Sequence, residues 1–122
     1  MFTRGIRGAT TVEHNDKQEI LDATRELLST IIADNGLVPE DIGYVFITVT
    51  SDLDAAFPAV AIRAMDGWDL VPLMCAVEVP VQGALPRCIR LMVTVNTTKS
   101  QKEIVHVYLN EAKSLRPDLA KR

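Results

Sequence analysis

The sequence predicts one α+β (mixed α/β) domain over residues 1–122, with a five-stranded mixed sheet, one long helix and one short helix. Five segments are rich in β-branched residues, and one longer segment repeats its apolar residues at helical spacing. A length of 122 residues suits a single domain. The hydrophobic fraction of 48% and the charged fraction of 24% are typical of a chain that can offset the entropy of folding.

The first two predicted elements are a strand at residues 2–12 and a helix at residues 17–35. Glycines among the β-branched residues of the strand predict a close approach of other backbone. The helix carries one apolar stripe, and Gly36 is placed to end it. Asp16 and Glu19 have the spacing of a capping box, which predicts where the helix begins.

The middle of the chain predicts a strand and a short helix. A brief turn is expected after Pro39, before a β-branched and aromatic run at residues 44–50. The run has no alternation, which is typical of a strand covered on both faces. Residues 58–65 suit two helical turns with a proline at the first turn, and Gly67 ends them.

The last third predicts three more strands. Residues 71–79 and 87–96 are two of them, separated by a loop with two prolines and a glycine. Residues 100–103 resemble a capping box and predict a short turn, and residues 104–109 predict the fifth strand. Residues 115–122 are expected to form a mobile tail.

One long helix can cover little more than part of a five-stranded sheet. The other face must be buried by something, and a second subunit is the simplest candidate. The element pattern therefore predicts self-association.

Charge and cysteine content restrict the class of protein. Lys and Arg total 13 and Asp and Glu total 16, so the net charge is −3, which argues against nucleic acid or an anionic membrane as the main partner. No apolar run reaches the roughly 18 residues of a membrane-spanning helix, and the start of the chain lacks a signal peptide's apolar core. Two cysteines are too few for a disulfide framework. The pattern predicts a cytoplasmic protein with reduced thiols.

Most catalytic signatures are missing from the sequence. It has no glycine-rich dinucleotide motif, no Walker lysine and no nucleophile elbow. His14 and His106 stand far apart, so no metal site and no cofactor are expected. Cys75 would need a base to act as a nucleophile, and a buried structural thiol is the simpler interpretation.

Arginines occur inside segments that otherwise predict buried strands. Arg7 lies in the first strand and Arg90 in the fourth, and Glu78 lies in an equally apolar stretch. One interpretation is a buried ion pair between Arg90 and Glu78. The other is a pocket for a small anion with more than one carboxylate, to which Arg63 and Arg116 would add charge. For Arg63 and Arg116, a solvated surface position is the alternative.

Several segments occur in one order along essentially the whole chain: 4–13 (RGIRGATTVE), 52–53, 56–59 (AFPA), 71–73 (VPL), Cys75, Glu78, 88–90 (CIR), 106–109 (HVYL) and 115–119 (LRPDL). Together they resemble the small, single-function, trimeric class of chorismate mutases. The resemblance implies isomerisation of chorismate to prephenate, a Claisen rearrangement on the route to phenylalanine and tyrosine. It also implies a pseudo-α/β-barrel homotrimer with each active site between two subunits. Since the reaction is pericyclic, the resemblance implies no cofactor and no metal.

The resemblance also implies roles for residues. Arg90 is the catalytic cation that donates to the ether oxygen and a substrate carboxylate, and Glu78 accepts from the ring hydroxyl near the developing positive charge. Arg7 and Tyr108 bind the enolpyruvyl carboxylate, and Cys75 contacts the region of the ring hydroxyl. By strand parity, Cys75 and Glu78 share one pocket only if the strand bends or bulges between them.

The remaining positions carried over by the resemblance line the pocket or its rim. The pocket-lining positions are Phe57, Ala59, Leu73 and Met74, and the mobile rim consists of Arg63, Leu115 and Arg116. Met74 stands where relatives carry a smaller polar residue, so we expect it to contribute through its backbone. Val60 stands where family members can carry a cation, which predicts a weaker electrostatic rim.

Two other functions are compatible with part of this sequence pattern. A trimeric carboxylate-metabolite-binding or imine-deaminase-like protein of similar architecture would also use an arginine to hold a carboxylate. Such a protein has no need of Glu78, so the combined set of polar residues favours the mutase. A purely structural trimer leaves the strand arginines unexplained.

Overall fold

The computed structural model describes residues 1–119 and contains the five-stranded mixed sheet that the sequence predicts. In chain order its strands are β1 (Phe2–Thr11), β2 (Ile42–Val49), β3 (Leu73–Val77), β4 (Cys88–Thr97) and β5 (Val107–Tyr108). Their order across the sheet is β3-β2-β4-β1-β5. Strand β4 is antiparallel to both β1 and β2, whereas the β2–β3 and β1–β5 pairs are parallel.

Within residues 1–119, two α-helices accompany the sheet, α1 (Lys17–Asn35) and α2 (Ala59–Arg63). Helix α1 has the predicted bounds and ends at Gly36, whose φ of 61° is left-handed. The described part of the chain also has three 3₁₀ turns, at Pro39–Asp41, Gln101–Glu103 and Asn110–Ser114. No helix in residues 1–119 is both long and apolar enough to cross a membrane.

Only half of the predicted capping box forms at the start of α1. The Asp16 side chain accepts from the Glu19 N–H at 3.0 Å, as predicted. The Glu19 carboxylate does not return to Asp16, because it binds the His14 backbone N–H at 3.1 Å and the His14 ring at 2.9 Å. The Asp16 N–H donates instead to the His14 carbonyl.

The fifth strand is shorter than the predicted residues 104–109. The Val105 N–H donates to Oδ1 of Asn35 at 2.8 Å, and Nδ2 of Asn35 donates back to the Val105 carbonyl at 2.9 Å. The buried Asn35 side chain at the end of α1 thus takes the place of a strand partner. Regular pairing with β1 starts only at Val107.

One face of the sheet is packed, and the opposite face is open except near Tyr108, where the end of the chain covers it. Ile47 and Leu91 belong to the buried core that contains the apolar stripe of α1. Their neighbours Phe46 and Met92 point the other way and are exposed. The prediction that residues 44–50 are covered on both faces is therefore wrong for the single chain, and the open face is the one that needs a partner.

Gly8 brings β1 close to α1. A Cβ atom built on Gly8 would lie 2.5 Å from Cδ1 of Ile31 and 3.3 Å from Cδ1 of Leu27. The close approach predicted from the glycines is therefore made to side chains of α1, and at Gly5 to the Met92 side chain. These glycines do not face other backbone.

The predicted mobile tail, residues 115–122, has a described part and a part outside the described residues. Leu115 and Leu119 pack against a small cluster on the sheet that includes Ala9, Cys88 and Tyr108. Residues 120–122 lie outside the described residues.

Candidate active site

Arg90 lies in the middle of β4, on the open face of the sheet. Its neighbours Ile89 and Leu91 are buried in the core, so the alternation of β4 turns the guanidinium away from the core. Its side chain is 44% exposed. The expectation of a buried guanidinium therefore does not hold in the single chain, where the segment is buried on one face only.

Glu78 directly follows β3 and reaches Arg90. Its N–H donates to the Val49 carbonyl at 2.8 Å, which extends the pairing of β3 with β2 by one residue. Its Oε1 atom accepts from Oγ1 of Thr48 at 2.6 Å and lies 3.6 Å from NH1 of Arg90. The predicted ion pair exists, but its single contact is longer than a hydrogen bond.

Arg7 and Tyr108 lie on the same face as Arg90. Arg7 pairs in register with Met92, and Ala9 pairs in register with both Arg90 and Tyr108. Paired residues point to the same side of a sheet, so β1, β4 and β5 direct these polar groups together. This register places three polar side chains from three strands on one face of the sheet.

A cavity of about 330 Å³ lies among these residues. It is lined by Arg7, Gly8, Phe46, Thr48, Glu78, Arg90, Leu91, Met92 and Tyr108. The Glu78 carboxylate does not fill it. Two guanidinium groups and one carboxylate in an otherwise largely apolar hollow can hold a small anion and stabilise charge that develops on it.

His106 and Thr48 support the predicted site residues, and sequence reasoning missed both. The Arg7 backbone N–H donates to Nδ1 of His106 at 2.9 Å, and NH1 of Arg7 lies 3.2 Å from Nε2. Thr48 holds Glu78 as described above. Two features of the sequence could have indicated these residues. His106 is two residues from Tyr108, a spacing that puts both on one face of a strand, and Thr48 is a hydroxyl residue in the apolar run of β2.

Cys75 faces the opposite side of the sheet from Glu78. The β2–β3 register runs without a shift from Leu73 to Val77, so β3 has no bulge. Cys75 packs against the core and lines a separate, mostly apolar cavity of about 560 Å³. The single chain therefore does not bring Cys75 together with Arg90.

The other predicted pocket residues are also apart from Arg90. Phe57 lines the same separate cavity as Cys75 and is 74% exposed. Ala59 and Leu73 are half-buried against the core. Met74 is 65% exposed; it pairs with Phe46 and so lies on the open face.

The predicted rim residues lie at two places. Arg63 is exposed at the end of α2. Arg116 donates to Asp118 through Nε at 3.1 Å and NH2 at 3.0 Å. These hydrogen bonds raise the pKa of Arg116 and lower the pKa of Asp118. Leu115 packs beside Tyr108, so the described part of the tail reaches the edge of the site.

Cys88 is a structural thiol. It is buried beside Tyr108 and Ala9, and burial raises the pKa of its thiol from 9.0 to about 11. The thiol is therefore neutral and unreactive at physiological pH.

The chain was compared with known proteins. A family model described as chorismate mutase type I matches residues 3–119. Chorismate mutase AroH of Bacillus subtilis (strain 168) is 49% identical over 120 residues, covering 98% of this chain and 94% of the relative. Chorismate mutase AroH of Thermus thermophilus is 51% identical over 119 residues, covering 97% of each chain.

A solved structure agrees with the sequence comparisons. The chorismate mutase from Clostridium thermocellum superposes with a TM-score of 0.88 at 52% identity, covering 91% of this chain and 98% of that one. The predicted fold and the predicted isomerase activity are confirmed by these matches. The chain belongs to the chorismate mutase type I family.

Proposed function

We propose that this chain converts chorismate to prephenate on the open face of the sheet, with Arg90 and Glu78 as its catalytic residues. One observation carries the proposal. Arg90, Glu78, Arg7 and Tyr108 line a single cavity, although they come from four different segments of the chain. That set supplies both cations for a dicarboxylate and an acceptor for a hydroxyl group.

The reaction breaks a C–O bond and forms a C–C bond in one concerted step. No proton is transferred and no covalent intermediate forms, so catalysis consists of holding the reactive shape and stabilising charge. The ether oxygen gains negative charge as its bond breaks. Arg90 donates to that oxygen and to a substrate carboxylate, and the planar guanidinium can serve both acceptors at once.

Glu78 acts on the other side of the charge separation. Its carboxylate accepts a hydrogen bond from the ring hydroxyl and lies near the positive charge that develops on the ring. Arg7 and Tyr108 bind the enolpyruvyl carboxylate, which restricts the flexible substrate to its reactive chair-like shape. Each group therefore has a role in positioning or in electrostatics.

We propose that the protein is a homotrimer of single-domain subunits with each active site between two of them. Two features support this assembly. The open face carries exposed Phe46 and Met92 beside the polar cavity. Phe57 and Cys75, which do not lie near Arg90 in the single chain, line a second cavity that a neighbouring copy would complete. In the trimer, Phe57, Ala59, Leu73 and Cys75 of one subunit would face Arg90 of the next, and Met74 would contribute through its backbone.

The rim and the cellular setting complete the proposal. Arg63, Leu115 and Arg116 form the rim that closes over the substrate. Prephenate leaves as the product, and neither nucleic acid nor a membrane takes part. The net charge of −3 and the two free thiols support a cytoplasmic enzyme.

The activity is tested by the ultraviolet absorbance of chorismate. Purified protein should consume chorismate with prephenate appearing in equal amount. Binding of chorismate without turnover would overturn the proposal and would favour the metabolite-binding alternative. Light scattering of the purified protein should give the mass of three chains.

Mixed trimers test whether two subunits share a site. Arg90→Ala and Phe57→Glu should each be inactive as pure trimers, since one removes the cation and the other places a negative charge beside a dianion. Refolding the two variants together should restore turnover, because some sites then receive both wild-type halves. A mixture of Arg90→Ala with Glu78→Ala should stay inactive, and equal results for both mixtures would exclude a shared site.

A further inference from the structure

We propose that Thr48 is a positioning residue that holds the Glu78 carboxylate apart from Arg90, so that the Arg90 guanidinium stays available to the substrate. The inference rests on the proposed function, because it assumes that Arg90 acts on the substrate. It concerns a hydroxyl group to which neither the sequence pattern nor the family resemblance gives a role.

The distances at Glu78 identify its main partner. Oγ1 of Thr48 donates to Oε1 of Glu78 at 2.6 Å, the length of a charge-assisted hydrogen bond from a hydroxyl to a carboxylate. NH1 of Arg90 lies 3.6 Å from the same oxygen, beyond the usual range for a guanidinium and a carboxylate. The carboxylate is therefore bound by the neutral hydroxyl and only approached by the cation.

The sheet fixes this arrangement. Thr48 pairs in register with Arg90 on β4 and with Ala76 on β3, so its side chain lies between the guanidinium and the end of β3. Glu78 lies two residues beyond Ala76 and is anchored by its N–H to the Val49 carbonyl. Thr48 is β-branched, which restricts its χ1 rotation and keeps the hydroxyl aimed at Glu78.

Without the hydroxyl, the Arg90 guanidinium and the Glu78 carboxylate would move closer together. An arginine and a carboxylate at this separation can form a bidentate pair with two short hydrogen bonds. That pair would occupy the guanidinium edge needed by the ether oxygen and the substrate carboxylate. The Thr48 hydroxyl is a neutral donor that already binds Oε1 of Glu78. This hydrogen bond makes formation of the bidentate pair with Arg90 less favourable.

Two substitutions separate the hydroxyl from the shape of the side chain. Thr48→Val keeps the branched shape and removes the donor, and we expect it to lower kcat about tenfold and to weaken binding of a bicyclic dicarboxylate analogue by a similar factor. Thr48→Ser keeps the donor and should retain kcat within about threefold. A loss of kcat in Thr48→Ser as large as that in Thr48→Val would overturn the inference, because Thr48→Ser keeps the hydroxyl donor.

A double-mutant cycle tests whether Thr48 acts through Glu78. Thr48→Val should lower kcat in the wild-type background and change it less than about twofold in the Glu78→Ala background. The same loss in both backgrounds would overturn the inference, since a purely structural role of Thr48 does not depend on Glu78.

A crystal structure of Thr48→Val gives a readout that does not depend on activity. The distance from Arg90 to Glu78 should shorten from 3.6 Å to about 2.8 Å with two contacts. An unchanged distance would overturn the inference even if the variant lost activity. Failure of the wild-type protein to consume chorismate would overturn the proposed function, and the distance would still report on Thr48.

Discussion

Arg7 and His106 are joined by a hydrogen bond across the β1–β5 edge: the Arg7 backbone N–H donates to Nδ1 of His106 at 2.9 Å. The Arg7 guanidinium also lies 3.2 Å from Nε2 of the same ring. Because Nδ1 accepts from the Arg7 N–H, Nε2 carries the ring proton in the neutral imidazole and cannot also accept from the guanidinium. The imidazole thus holds the main chain of the residue proposed to bind the enolpyruvyl carboxylate. His106 itself lines a neighbouring cavity on the far side of Arg7.

His106→Ala is therefore expected to raise KM about tenfold with a smaller change in kcat, because Arg7 loses a fixed position for ground-state binding. Steady-state kinetics on chorismate measures both constants. His106→Asn is the matched control, since its side-chain oxygen can accept from the Arg7 N–H in place of Nδ1, and its KM should stay closer to wild type. An unchanged KM in His106→Ala would show that Arg7 does not depend on the imidazole.

Arg90 is expected to carry the largest share of the rate. Arg90→Ala should lower kcat by about 10²- to 10³-fold or more, because a donor to the developing oxyanion is lost. Arg90→Lys should also be strongly impaired, since one ammonium cannot reproduce the planar fork. Circular dichroism should show a folded protein in both cases. Arg25→Ala, an exposed arginine of α1, is the control and should keep the wild-type kcat.

Removal of the chain from Leu115 onward is expected to raise KM more than it lowers kcat, because the tail is proposed to close the site without taking part in the chemistry. The truncation also removes Leu115 and Leu119 from the cluster around Tyr108, so thermal stability should fall modestly. Arg116→Ala separates the two effects, since it leaves both leucines in place. Equal KM values in the truncated and full-length proteins would contradict a role for the tail in closure.

Cys88 is expected to make folding sensitive to alkaline pH. Its pKa is raised by burial from 9.0 to about 11, so the unfolded chain releases this proton at lower pH than the folded one. Its contribution to stability is complete below pH 9 and is lost as the pH rises towards about 11, by up to about 1.4 kcal/mol of unfolding free energy per pH unit.

Denaturant titrations near pH 8 and about pH 10.5 measure this contribution. Cys88→Ala should lose less stability between the two pH values than the wild-type protein does. The Cys75→Ala variant removes the other thiol and should show the same loss as wild type. If all three proteins lose stability equally, Cys88 is not responsible for the alkaline sensitivity.

Local patterns predicted most of the fold. The apolar stripe and the flanking Asp16 and Gly36 define α1 because helix periodicity and caps are properties of neighbouring residues. The length of β5 was not predictable in this way, since it depends on Asn35, which lies 70 residues from Val105 in the chain. The open face of the sheet was predicted because one long helix cannot cover five strands. The residue pattern of β2 alone does not show which face is open.

The site was predictable only in part. Arg90 and Glu78 stand out from sequence because charges in apolar strands demand an explanation. Thr48 and His106 do not stand out, because their roles come from the β2–β4 and β1–β5 registers, which join distant segments. The spacing of Cys75 and Glu78 correctly predicts that their side chains point to opposite faces of a regular strand. The strand has no bulge that would bring them together. That they share one site therefore stays a prediction for the assembled trimer.

The pairing of β5 with β1 also affects how the protein is made. Arg7 leaves the ribosome about a hundred residues before the segment that carries His106 and Tyr108. A nascent chain that has already formed its long helix and the four strands β1 to β4 still lacks one wall of the cavity. Chains that stop before β5 therefore lack Tyr108 and the His106 contact to Arg7, and we expect them to be inactive.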